Sequence, residues 1–150
     1  MAAGTMSAHR IRMPIVFWVA LGSALGACLR WALGLALNGT GEIGSPWATL
    51  FANTLGSAAI GLYAALSAPD GRLAATPAQR QFMMAGVCGG FTTFSLFSGE
   101  WLQAVLLGES TLAAASVAVS VPLWLVGVWA GHAAGLRINR MPSGIEEKAP

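Results

Sequence analysis

The chain has 150 residues, of which 55% are hydrophobic and only 9% charged, with a formal net charge of +2. Its mean hydropathy is +0.65. A soluble domain must present a charged surface, so this composition excludes one and points to a polytopic membrane protein. A charge so small, with no basic stripe, also leaves nucleic-acid binding nothing to rest on.

A hydrocarbon core of about 30 Å takes roughly 20 apolar residues at 1.5 Å each, and four stretches are long enough. Together they predict one all-α membrane domain of four transmembrane helices spanning residues 1–150. The first stretch runs from about Met13 to Leu37, with Pro14 suited to a first helical turn and Arg30 its only charge. The segment LNGTGEIGSP is a turn-rich connection. The second span covers about Trp47–Leu66, with Ser45 as N-cap and Pro46 beside it. The third begins after Pro77 and covers about 78–105, uncharged from Gln81 to Gly99 and closing near Glu100 and Trp101. The fourth covers about Thr111–Leu136 with Pro122 as an internal kink. A polar tail from Arg137 to Pro150 is expected to fray.

Arg10 and Arg12 before an apolar run ending Leu25-Gly26-Ala27-Cys28 imitate a lipoprotein signal. The apolar character continues past Cys28, as in a spanning helix and unlike a removable leader. Cys28 and Cys88 both fall inside spans, where thiols pack as small hydrophobes, so no disulfide framework is expected. Gly22 and Gly26 in the first span, and Gly127, Gly131 and Gly135 in the fourth, form small-residue stripes that let helix backbones approach in lipid. Trp18, Trp31, Trp47, Trp101 and Trp129 lie mostly near span ends, which suits interfacial anchoring.

The sequence GGFTTFSLFS, Gly89 to Ser98, predicts a broken third helix. Gly89 falls about 16 Å into that span at helical rise, near the bilayer centre. Irregular backbone at that depth is tolerated only where freed carbonyls find partners. A cation held by those carbonyls is one solution, and hydroxyl back-bonding from Thr92 and Thr93 is another. Just beyond, Phe94 and Phe97 are three residues apart and share a helix face. Aromatic edges are electropositive, so such a pair either packs a core or flanks an anion. Ser95 and Ser98 stand beside them, Asn53 lies in the uncharged second span, and Ser116 and Ser120 are four apart in the fourth. These are neutral donors for a small anion, although serines in membrane helices often bond only their own backbone.

GGFTTFSLFSGE resembles the third-helix signature of the Fluc/CrcB fluoride channel family, usually GGxTTFSTFSxE. The resemblance extends to GACLRW in the first span, TLFANTLG in the second and the paired serines of the fourth. It implies an antiparallel dimer with two fluoride pores and a central structural sodium ion that is not transported. Backbone carbonyls of Gly89 and Thr92 would hold the sodium, two from each subunit. Phe94 and Phe97 would line the fluoride path with Ser95 nearby, Asn53 would donate to the ion, and Ser116 and Ser120 would form a polar track. Arg30 would face an aqueous vestibule and Glu100 the other mouth. The implied use is passive export of fluoride across a bacterial cell membrane, lowering its toxicity.

Two residues depart from the signature: Leu96 replaces the usual threonine and Phe91 the usual leucine. The charges raise a question of topology. Of the eight Lys and Arg residues, Arg30 lies within a span, and the other seven, Arg10, Arg12, Arg72, Arg80, Arg137, Arg140 and Lys148, fall on the side of the termini. The opposite loops carry Glu42 and Glu109. The positive-inside rule then puts both termini in the cytoplasm, which opposes an antiparallel homodimer and favours pairing with a paralogue of reversed bias, the other reading being a homodimer whose assembly selects a minor inverted population. Two alternatives are a small dual-topology proton-coupled exporter, disfavoured because the first span holds no acidic residue, and a non-conducting partner subunit. An enzyme is not expected: His9 and His132 lie near span ends without a nucleophile or carboxylate pair.

Overall fold

The computed structural model describes residues 15–38 and 46–141. Met13, Pro14, Glu42, Ser45 and the tail beyond Met141 lie outside the described residues. The elements are α1 (Ile15–Asn38), α2 (Pro46–Leu66), α3 (Pro77–Gln81), a π-helical segment (Phe82–Cys88), α4 (Gly89–Phe91), α5 (Phe94–Leu106) and α6 (Ser110–Arg140). α3 through α5 form a single span, Pro77–Leu106, so the described residues contain four helices able to cross a membrane and no strand.

The third span starts where local chemistry dictates. Thr76 accepts from the Gln79 backbone N–H while the Gln79 side chain accepts from the Thr76 N–H, a reciprocal capping box with Pro77 in the first turn. It ends at a Schellman turn: Glu109 N–H donates to the Ala104 carbonyl at 2.9 Å and Gly108 N–H to Val105 at 3.0 Å. Gly108 takes φ +80°, the one described position where a left-handed residue is required. That tight turn folds α6 back against α5.

Small residues decide the pairing of the helices. A methyl on Gly26 would collide with the Val87 carbonyl oxygen and the Phe91 nitrogen, and one on Gly22 with the backbone of Phe82 and Gly86. α1 therefore lies backbone to backbone against the π-helical segment and α4. Likewise Gly61 meets Val128, Gly131 meets Ala58, and Gly135 meets Ala65 and Leu62, joining α2 to α6. Both stripes read from the sequence are contact surfaces, as lipid-embedded packing requires.

Two features differ from the sequence reading. The wide turn at Phe82–Cys88, where Gly89 N–H reaches the Met84 carbonyl five residues back, was not expected; it lies where α1 presses its glycines against the third span. The fourth helix does not fray at Leu136 but runs to Arg140. Asn139 explains the extra turn, since its amide donates to the Ala65 carbonyl at 2.9 Å and accepts from the Arg72 N–H at 3.1 Å, tying the helix end to the α2–α3 loop.

Candidate functional site

The two glycines are not where the third span opens. Gly89 keeps helical dihedrals of φ −64° and ψ −36°, and Gly90 is small because its Cβ would strike the backbone of Ser23 on α1. The extended residues are Thr92 (φ −83°, ψ 160°) and Thr93 (φ −151°, ψ 126°). Their hydroxyls work differently. Thr92 Oγ1 bonds back to the Cys88 carbonyl at 3.0 Å, whereas Thr93 Oγ1 caps α5 by accepting from the Leu96 N–H at 3.2 Å and lies 3.2 Å from Ser95 Oγ.

Asn53 completes the interruption. Its Nδ2 donates to the Thr93 carbonyl at 2.8 Å and its Oδ1 accepts from the Thr93 N–H at 2.7 Å. Both residues are buried, at 5% and 9% exposure, so one amide side chain replaces the helical partners of a whole peptide unit. A regular helix would send the Thr93 N–H to Gly89 and the Leu96 N–H to Thr92. Because both donors are diverted, the carbonyls of Gly89 and Thr92 lose their i+4 partners. That donor set, neutral oxygens on the main chain, suits a hard monovalent cation.

α2 presents a single stripe to this region. Thr49, Asn53 and Gly56 are spaced to share a face, and they meet, in order, Glu100, Thr93 and the Thr92 methyl. The Thr49 hydroxyl donates to Glu100 Oε1 at 2.6 Å. Glu100 is thereby anchored to the same helix that clamps Thr93.

The aromatic pair follows one turn on. Phe94 and Phe97 have centroids 6.0 Å apart with rings tilted 45°. Phe94 is 70% exposed on its own chain, while Phe97 is 8% exposed and meets Trp124 of α6 edge to face at 5.0 Å and 77°. Ser98 donates to the Phe94 carbonyl and Ser116 to the Ala113 carbonyl, so their hydroxyl hydrogens serve the backbone. Ser120 is buried. Arg30 is half-buried on α1, and its Nε has no hydrogen-bond partner among the described residues. Cys28 and Cys88 are both free.

Asn53, Thr93, Ser95, Phe94 and Phe97 thus gather at the interruption, with Glu100 joined to them through α2; among the described residues Arg30 makes no hydrogen bond to that group. Sequence reasoning missed the clamp and the cap at Thr93, the Thr49–Glu100 bond and Trp124. Thr49 was legible as the residue one turn before Asn53. Trp124 was legible as the next turn of the Ser116–Ser120 line.

Among the described residues no three His, Cys, Asp or Glu side chains come together as a metal site. The fold and site define a small four-span membrane protein whose polar groups gather where the third span turns extended at Thr92 and Thr93. Comparison with known sequences narrows the class. Residues 17–132 match the family described as CrcB-like protein, Camphor Resistance (CrcB). A relative from Bradyrhizobium diazoefficiens, named fluoride-specific ion channel FluC 1, is 50% identical, covering 90% of this chain and 94% of its own length. One of the same name from Rhodopseudomonas palustris is 46% identical over 88% and 94%. A third, fluoride-specific ion channel FluC from Paramagnetospirillum magneticum, is 48% identical over 81% and 95%. The chain belongs to the CrcB family.

Proposed function

We propose that this chain is a subunit of a fluoride-selective channel that lets fluoride leave the cytoplasm passively, with no bond made or broken by the protein. The observation that carries the reading is the clamp of Asn53 on Thr93, which starts α5 at Phe94, in a chain whose near full-length relatives are named fluoride-specific channels. Fluoride is small, hard and strongly hydrated. A path for it must replace water with donors and positive ring edges, yet hold the ion loosely enough to release it. Asn53 spends one of its two amide hydrogens on Thr93 and keeps one for the ion. Phe94 and Phe97 offer ring edges, Ser95 and Ser120 add hydroxyls, and Arg30 and Glu100 serve the vestibules.

A structural sodium ion fits the residues present. The carbonyls of Gly89 and Thr92 would hold it, and a bound sodium supplies a fixed positive charge that satisfies main-chain oxygens where no water reaches. Phe94, left open by its own chain, and the apolar outer faces suit a second subunit in antiparallel orientation. The seven basic residues on the termini side favour cytoplasmic termini, and hence a paralogue of opposite bias as partner. A reporter fused to the C-terminus tests that pairing: one orientation is expected, and substantial populations in both would overturn it.

Liposomes loaded with fluoride and carrying the purified chain, alone or with its paralogue, test the function. Fluoride should leave without a proton gradient while chloride stays. Release only under a proton gradient would identify an exporter, and no release with any partner would leave a non-conducting subunit.

A further inference from the structure

We propose that the indole N–H of Trp124 is a further hydrogen-bond donor to fluoride in transit, an inference that rests on the channel reading above. Trp124 Nε1 is sealed from solvent and has no hydrogen-bond acceptor among the described residues. An indole nitrogen can only donate, and buried donors without partners are rare enough in native proteins to need a physical reason.

Its position supplies one. Trp124 follows Ser120 by four residues and Ser116 by eight on the continuous helix α6, so all three share a face and the indole extends the serine line by one turn. The ring lies edge to face against Phe97, 5.0 Å between centroids, which puts the indole beside one of the two phenylalanines assigned to the fluoride path. On that face the Ser116 hydroxyl hydrogen is already committed to the Ala113 carbonyl. Trp124 therefore brings an uncommitted hydrogen to the line.

Any partner must be an acceptor, and because the nitrogen is sealed among side chains a compact ion reaches it only as the neighbouring rings move aside. Fluoride, compact and with concentrated charge, gains most from a single short N–H bond. Chloride, larger and more diffuse, gains less. The indole thus adds to selectivity as well as to the replacement of water.

The test uses the full chain, with its paralogue if conduction needs one. Indole 15N labelling gives one resonance for each of the six tryptophans, and that of Trp124 is identified by its loss in Trp124→Phe. If that variant does not fold, single Trp→Phe variants at the other positions identify it by elimination. Sodium fluoride should shift this resonance and sodium chloride should not. Trp124→Phe should slow fluoride efflux from liposomes about tenfold, the effect of one hydrogen bond, while Trp129→Phe, at a position 72% exposed, should not. A conducting wild-type protein whose Trp124 resonance ignores fluoride, or a Trp124→Phe variant with wild-type efflux, would overturn the role of the indole alone. If the wild-type protein releases no fluoride, the channel reading and this inference fall together.

Discussion

Asn53→Ala tests the clamp. The substitution removes the 2.8 Å bond to the Thr93 carbonyl and the 2.7 Å bond from its N–H, leaving unpaired the backbone of Thr93, which is only 9% exposed. A buried backbone group left without a partner costs about 1–3 kcal/mol, so both together cost roughly 2–6 kcal/mol if nothing moves. One relaxation is open: the Thr93 N–H can return to the Gly89 carbonyl, its helical acceptor, leaving one bare carbonyl and about 1–3 kcal/mol. That relief removes an oxygen from the proposed sodium site, so the protein cannot recover stability and keep the ion together. Thermal unfolding in detergent, compared in sodium and in potassium, reads both effects. The wild-type protein should melt higher in sodium, because a ligand bound only by the folded state stabilises it. Asn53→Ala should melt several degrees lower and lose the difference, and its fluoride efflux should fall about tenfold or more. Asn53→Asp, which keeps the acceptor for the Thr93 N–H but cannot donate to its carbonyl, should also lose efflux. An Asn53→Ala protein with wild-type melting and an intact sodium response would refute the reasoning.

The two phenylalanines should separate packing from conduction. Phe97→Ala uncovers Trp124 in a packed position and should lower stability by about 3–5 kcal/mol, whereas Phe94→Ala, at a side chain left open by its own fold, should lower melting less while still lowering efflux; equal effects on melting would contradict the exposures found. Gly26→Ala forces a methyl into the backbone of Val87 and Phe91 and should cost about 1–3 kcal/mol or more, read as a lower melting temperature, with a wild-type value counting against the close approach of α1. Leu96→Thr restores the hydroxyl usual in the signature and should raise efflux if the polar track limits flux; unchanged efflux would show that the track does not need it.

Length and apolar runs made the four spans legible, because a membrane helix is fixed by simple reach; the ends moved by a few residues where caps and tertiary contacts decided them. Arg140 closes the fourth helix because Asn139 bonds to Ala65 across the α2–α6 contact, a pairing that no local pattern announces. The glycines of GGFTTFSLFS pointed to the right region for an incomplete reason. Their smallness serves the approach of α1, and the extended backbone sits at Thr92 and Thr93, where side chains can cap and clamp it. Asn53 was visible as a polar residue in an apolar span, but its partner depends on the register between α2 and the third span. The place of Trp124 one turn beyond Ser120 was legible from spacing, but the burial of its one ring nitrogen is a tertiary fact.

Currents through a planar bilayer containing the purified chain, with its paralogue where needed, test the central claim most directly. With unequal fluoride on the two sides, the account predicts a reversal potential that follows the fluoride gradient and ignores imposed chloride and proton gradients. A reversal potential that moves with either of those gradients, or the absence of any fluoride current, would contradict it.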